Sequence, residues 1–457
     1  KGFCKMRMKK MLCGLLVAVL VLALAPVTAF AAGELEVNGQ NILAADSYTV
    51  QCGEGTAVYD PDNAILTLTN ATLNQANLSS RVIDVPNSIG ELTIRLVGDN
   101  TIENHSEGEG ITVSCPLTID GQGTLTITTE SAAGLISRGD MVIDGATVTV
   151  TTTKDGAIQA VGGNLTLQNG ATLKGTGSYY GVNAVEVSVT GESTLITAGT
   201  EPLYNAIVAY TSLIAEDSTI TGISDGVAIY SFGPITLTDS TVTATSTSSY
   251  GMWSDDLLSI AGDSTVTTQG GNVGMDGNSG VRVSAPADGY VDILVGDDAE
   301  SAQPSASSPV GPGQNVSVTG MGNYSYAKVA PHTHELTYVP AVDPTPAKPG
   351  NTEYWLCEAC GTYFADAEGA QEITEADTYL APEGTADIPG SNEDQVGGGD
   401  WDWPSSSGGS TSGSGSSNGS TSGGKENPST GDSSLMAGAI LLAAASVGGI
   451  LLSKKRK

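Results

Sequence analysis

Met141-Val142-Ile143-Asp144-Gly145-Ala146-Thr147-Val148 is answered further along the chain by Leu165-Thr166-Leu167-Gln168-Asn169-Gly170-Ala171-Thr172-Leu173. Each stretch runs through an alternating apolar pair, a turn of Asp, Asn or Gly, a small residue, a Thr and a branched apolar residue. The closing phrase recurs at Ala71-Thr72-Leu73, Asn100-Thr101-Ile102, Gly123-Thr124-Leu125, Ser193-Thr194-Leu195, Ser218-Thr219-Ile220, Ser240-Thr241-Val242 and Ser264-Thr265-Val266. Successive threonines stand 29, 23, 23, 25, 22, 25, 22 and 24 residues apart, which defines a repeat with a period near 23.

The apolar pairs Leu66/Leu68, Ile94/Leu96, Leu117/Ile119, Val187/Val189 and Ile235/Leu237 occupy the same place in their units. Period two with branched residues reads as strand, and no sustained 3.6 period competes with it. A third apolar segment opens the units, as at Gly134-Leu135-Ile136, Gly156-Ala157-Ile158 and Asn205-Ala206-Ile207. Three short strands per unit, joined by Gly, Asp, Asn and Ser turns, predict an all-β chain: a right-handed parallel β-helix, or solenoid, of about nine coils over residues 60–299. One coil cannot bury its inward side chains alone, but stacking at about 4.8 Å joins them into a continuous core, a rod of roughly 43 Å. Small inward residues suit so narrow an interior, and beyond residue 31 the only phenylalanines are Phe232 and Phe364.

Composition bounds the function. Charged residues make up 15% of the 457 residues, and 50 acids face 18 bases for a net charge of −32. Such a surface lacks the basic footprint that a nucleic-acid partner requires. The bases gather at the ends. Lys1, Lys5, Arg7, Lys9 and Lys10 precede an apolar run from Met11 to Ala25, and Ala29-Phe30-Ala31 follows. A basic region, an apolar core and an A-x-A site predict a signal peptide over 1–31, with Ala29 and Ala31 at the cleavage site.

At the other end, Asn427-Pro428-Ser429-Thr430-Gly431 precedes an apolar stretch from Leu435 to Leu452 and the basic tail 454–457. The stretch spans about 27 Å as a helix, enough to cross hydrocarbon, with the tail cytoplasmic. This order over 427–457 resembles the LPXTG-like sorting signal of Gram-positive surface proteins. The resemblance implies that a sortase cuts between Thr430 and Gly431 and joins Thr430 to peptidoglycan, with Asn427 and Pro428 completing the signal. The membrane is then occupied only before sorting, and the protein is secreted and covalently anchored to the cell wall. Removing both ends takes away nine bases and one acid, leaving 49 acids against 9 bases and a net charge of −40. An ordinary single-pass anchor is the alternative.

The β-helix region resembles the pectate-lyase-like β-helices and the carbohydrate-binding β-helix domains of Gram-positive surface proteins, through its repeat pattern and architecture. Residues 32–59, with Tyr48-Thr49-Val50 and Ala57-Val58-Tyr59, are expected to cap the first coil and block edge pairing. Residues 300–331, rich in Ser, Pro and Gly, read as a linker and hairpin that closes the helix. The Gly/Ser-rich stretch at 386–426 reads as a flexible spacer across the wall.

Residues 332–385 form a separate module containing His332-Thr333-His334 and Trp355-Leu356-Cys357-Glu358-Ala359-Cys360-Gly361, followed by Phe364-Ala365-Asp366. It resembles a small accessory module near the C-termini of Gram-positive surface proteins. Two thiolates and two imidazoles at His332, His334, Cys357 and Cys360 suit a tetrahedral zinc site. An extracellular disulfide or unliganded thiols are the alternatives, and a redox dithiol would want a thioredoxin-like βαβ pattern around it. Calcium is a second candidate ion, drawn by the acidic surface, with no ligand set of its own. Cys52 and Cys115 are either bonded in an oxidising exterior or two buried core thiols; a cap stacked in order puts them about 10 Å apart, beyond disulfide reach.

Aromatics are only 5% of the chain yet cluster in adjacent coils. Tyr180, Tyr204 and Tyr250 open three coils, with Tyr210, Tyr230 and Trp253 a few residues further along. Like positions stack in a β-helix, so these six rings would form a flat ladder for the apolar faces of sugars; covering turns is the alternative. For catalysis, Asp255-Asp256 is an adjacent acid pair on the coils, and Asp155 and Asp225 stand before Gly at comparable turns. The expected function is therefore binding of extracellular carbohydrate, of adhesin type, through a β-helix face. A polysaccharide lyase or glycoside hydrolase on the same scaffold and a non-binding structural spacer are the alternatives.

Overall fold

The computed structural model describes residues 34–75 and 81–383. Up to residue 331 these form a parallel β-helix with three columns of strands, and residues 336–380 add two small antiparallel sheets; there is almost no helix among the described residues. One column is built of short strands such as Ile83–Val85, Ile111–Val113, Leu135–Ser137 and Ile158–Ala160. A second holds Leu92–Val97, Leu117–Gly121, Met141–Asp144 and Leu165–Gln168. The third runs in nine parallel strands from Thr72–Gln75 to Thr265–Gln269. Period-two alternation is what allows this: along Thr147–Thr152, Val148, Val150 and Thr152 are buried while their neighbours face out. Stacked coils join Leu68, Ile94, Ile143, Leu167, Val189 and Leu237 into one core.

The small residue that precedes each repeat Thr has a defined task. It sits at an inner corner, and at three of the four places where it is Ser its hydroxyl satisfies the backbone of the coil before. Ser193 Oγ accepts from Ala171 N, Ser240 Oγ from Ser218 N and Ser264 Oγ from Ser240 N, each at 3.2 Å. Asn100 Oδ1 does the same for Ala71 N at 2.9 Å. Buried backbone donors thus find partners where the ladder turns.

The register departs from the simple alignment of threonines at the first two units. Thr124, Thr147, Thr172, Thr194, Thr219, Thr241 and Thr265 pair in one row, but Thr101 lies opposite Thr126, and Thr72 opposite Thr101. The first coils are thus displaced by two residues. Because a shift of two keeps every side chain on its own face, the core survives it, and Asn100 takes the inward place opposite Leu125.

Both ends of the stack are closed by antiparallel strands. Gly55–Asp60 pairs on Ile65–Thr69 and Glu36–Val37 on Ile83–Asp84. At the far end Asn315–Val318 covers Val281–Ser284, Tyr326–Pro331 covers Thr265–Gln269, and Val291–Gly296 adds outside it. Cys52 and Cys115 are free thiols buried in the core, and burial pushes both thiol pKa values up. Among the described residues no helix is long and apolar enough to cross a membrane. The signal peptide at 1–31, the spacer at 386–426 and the sorting signal at 427–457 lie outside the described residues.

Candidate functional site

The strand Tyr326–Pro331 runs on into His332, whose backbone N–H donates to Tyr290 O at 2.8 Å. His334 follows two residues later on the same side. Opposite them, strands Tyr354–Cys357 and Thr362–Phe364 pair antiparallel and are joined by a tight turn, in which Gly361 N donates to Cys357 O at 2.8 Å. Gly361 sits at φ +77°, a left-handed conformation that a Cβ would strain, so Gly belongs at this point of the knuckle. These two elements bring His332, His334, Cys357 and Cys360 together, with one donor atom from each within 4.8 Å of every other.

His332 Nε2 lies 3.4 Å from Cys357 Sγ, and His334 Nδ1 lies 3.3 Å from Cys360 Sγ. A tetrahedral ion with Zn–N of about 2.05 Å and Zn–S of about 2.3 Å needs N···S edges of about 3.5 Å, so both pairs stand near the required spacing. The group could hold a metal ion. Its donors are all protein side chains, two of them sulfur, in a half-buried to fully buried setting.

The electrostatics favour ionised sulfur. Burial opposes ionisation of Cys357, but hydrogen bonds from His332, the Cys360 backbone N–H and His334 overcome it, and its pKa is lowered to about 6. Burial and the neighbouring Cys357 sulfur raise the pKa of Cys360, although Thr362 works against them. Burial alone would lower the His332 pKa, yet hydrogen bonds to Cys357 and Asp292, with their negative charge, bring it above the ordinary histidine value. Three surrounding residues were not singled out by the sequence. Asp292 meets His332 Nδ1 with both oxygens, at 2.9 and 2.8 Å. The Thr362 hydroxyl lies 3.2 Å from Cys360 Sγ and 3.3 Å from the Tyr290 hydroxyl.

The second candidate region is the aromatic face. Tyr230 and Trp253 stand in register on adjacent coils. Tyr210 belongs to a neighbouring row. Between Ala184 and Glu186 the register slips, so that Tyr210 and Thr211 oppose a single residue, Val185. Such a bulge re-aims side chains. On its other side the register is unbroken, Ala209 pairing with Ser231 and Leu213 with Ile235, so Tyr210 lies opposite Phe232, with centroids 5.4 Å apart and rings only 16° from parallel. Phe232 also packs on Tyr230 at 4.6 Å, and Tyr250 on Trp253 at 4.6 Å. Gly233 permits this geometry, since a Cβ there would lie 1.8 Å from the Thr211 carbonyl oxygen. Tyr210 is 50% exposed and Phe232 46%.

The patch is therefore contiguous over three coils, but it is not a flat ladder. The Tyr230/Phe232 and Tyr250/Trp253 rings are tilted by 40° and 59°. Tyr204 meets Tyr179 at 4.6 Å rather than stacking on Tyr180, because Tyr180 aligns with Asn205 once Val182 pairs with Ile207. Tyr180 lies half-buried against Gly156, where a Cβ would touch its ring at 2.2 Å, and burial raises its pKa. Phe232 joins the face unannounced by the repeat; its exposed place beside a coil corner was the available signal.

The four acids do not form one site. Asp155 and Asp225 occupy the same corner three coils apart, about 14 Å at the stacking distance. Asp155 accepts from Gly156 N at 2.7 Å and Asp225 from the Thr247 hydroxyl, as turn residues do. Asp255 lies at the other end of the short strand, where Tyr230 Oη donates to it at 2.9 Å and Trp253 Nε1 at 2.7 Å. Asp256, the next residue, is exposed. Comparison of the chain with known protein families, with curated proteins and with solved structures finds no match.

Proposed function

We propose that this chain is a cell-wall-anchored surface protein whose β-helix presents an aromatic face to neutral extracellular glycan, and that the Cys/His group holds a structural zinc ion. The observation that carries the glycan reading is the contiguous, partly exposed cluster Tyr210, Phe232, Tyr230, Trp253 and Tyr250 on a rigid scaffold. Rings of this kind offer sugars an apolar platform, and Asp255 fixes two of them by hydrogen bonds. The acids' separation into two corners, each engaged in local bonds, supports binding over glycosidic catalysis, which needs two carboxyls across one bond.

An acidic body repels polyanions, so the ligand is a neutral glycan, with several weak contacts along the face adding up. A glycan array tests this directly. Replacing Tyr210, Phe232 and Trp253 together by Ala should abolish retention while the β-rich circular dichroism stays intact. Normal retention by that variant, or release of reducing or unsaturated sugars by the wild type, would overturn the reading.

The zinc reading is supported by the donor chemistry. Two sulfurs and two imidazole nitrogens fill a tetrahedral ion's four positions and leave none for water, the pattern of a structural site. Such an ion supplies folding energy to a module with little core of its own. Surface anchoring through Thr430 is supported by the ordered signals at the two ends of the sequence, with sortase and peptidoglycan as partners and the wall as location.

A further inference from the structure

We infer that the metal centre is a clamp between the end of the β-helix and the Cys/His module, with Asp292 and Tyr290 as positioning residues supplied by the β-helix side. The inference rests on the zinc reading above. The four donors alone would make a self-contained knuckle, but their supports come from elsewhere. Asp292 lies on Val291–Gly296, which pairs on Tyr326–Pro331, which in turn pairs on the last parallel strand, Thr265–Gln269. The centre is therefore tied through two ladders of backbone hydrogen bonds to the solenoid.

Register explains why Asp292 reaches it. Val291 pairs with Pro331 and Asp292 with Ala330, which leaves His332 opposite Tyr290 and diagonal to Asp292 on one face of the pair. Both Asp292 oxygens lie within hydrogen-bond distance of His332 Nδ1, at 2.9 and 2.8 Å. That contact keeps the proton on Nδ1 and leaves Nε2, 3.4 Å from Cys357 Sγ, as the ligating nitrogen. Tyr290 braces the other half of the group. Its hydroxyl meets Thr362, whose hydroxyl lies against Cys360 Sγ, and its ring edge faces His332 and His334 at centroid distances of 6.1 and 6.2 Å. Each side of the donor set thus has one buttress from the residues just before or within the β-helix's closing strand. Metal bound here orders the knuckle and also presses it against that strand.

The test uses the full chain loaded with zinc, and competition with a chromophoric chelator to read affinity. Asp292→Ala should weaken zinc about 10–100-fold, the usual effect of removing a ligand's hydrogen-bond partner, and Asp292→Glu should recover part of it. Asp292→Asn, closer in shape, guards against a folding defect, and circular dichroism checks that the solenoid is intact. Hydrogen exchange is the second readout. Removing zinc from the wild type should speed exchange at Val291–Gly296 and Tyr326–Pro331 but not at Thr147–Thr152. Three outcomes are distinguishable. A wild type that takes up no zinc refutes the zinc reading itself. Zinc bound equally tightly by the wild type, Asp292→Ala and Asp292→Asn overturns the positioning role. Zinc binding with exchange at the two strands unchanged by its removal overturns the clamp.

Discussion

Tyr230 offers the sharpest check on the geometry of the aromatic face. Its hydroxyl donates to Asp255 Oδ2 at 2.9 Å, while Asp255 Oδ1 accepts from Trp253 Nε1 at 2.7 Å. Burial, then the hydrogen bond to Asp255 and its negative charge, push the phenol up from 10.0 to about 12. Two units correspond to an ionisation constant about 100-fold smaller, so at pH 10 an ordinary tyrosine is half ionised and Tyr230 only about 1%. The sign follows from the direction. A pKa raised by folding means the fold favours the neutral phenol, so this contribution to stability is intact below pH 10 and is lost as pH rises towards about 12.

The assay is a near-ultraviolet titration of phenolate absorbance for the wild type and for Tyr230→Phe. Their difference isolates one of the 15 tyrosines and should be centred near 12. Asp255→Asn removes the charge but leaves the burial, so the difference titration should move part of the way back and remain above 10. A difference curve centred at 10, or one that Asp255→Asn leaves in place, would refute the argued contact. The consequence for binding is direct, since only a neutral Tyr230 can donate to Asp255 and so stay bridged through it to Trp253. Retention of a neutral glycan should be level up to about pH 10 and fall beyond it as the bridge breaks.

Thr430→Ala should leave the protein in the membrane or the medium, read as the loss of muramidase-released, wall-linked protein; equal amounts for mutant and wild type would argue against sorting. Cys357→Ser should abolish zinc uptake, as measured by metal analysis, because it removes one of the two sulfur donors. Gly233→Ala places a methyl group 1.8 Å from the Thr211 carbonyl oxygen, which forces the bulged strand to move. The cost should be about 1–3 kcal/mol in urea unfolding, with glycan retention weakened alongside it because Phe232 and Tyr210 shift.

The solenoid was legible because its physics is periodic. A strand's side chains alternate, a coil cannot bury them alone, and the same corner must be solved each time, so Ser193, Ser218, Ser240 and Ser264 recur before their threonines. The displacement of the first coils was hidden for the same reason. Moving Thr101 from Thr124 to Thr126 preserves the face of every residue, so a pattern of alternation is blind to it, and only the burial of Asn100 opposite Leu125 betrays it.

The sites were less legible, because they depend on where turns add or drop a residue. The extra residue at Tyr210–Thr211 sets both against the single residue Val185 of the coil before, and the alignment at Val182 and Ile207 gives Tyr204 to Tyr179. Neither follows from counting along a mean period. The adjacent acids Asp255 and Asp256 misled in a different way. They sit in the bend that follows the strand Tyr250–Ser254, and there the first bridges two rings while the second faces solvent, so adjacency in sequence was the wrong reason to pair them. His332, His334, Cys357 and Cys360 could be read because a short-range motif fixes two donors at a time. Asp292 could not, since it reaches His332 across an antiparallel pair from 40 residues away. Its one signal was local: an acid between Val291 and Ile293, on the outward face of a strand whose other members are apolar or Gly.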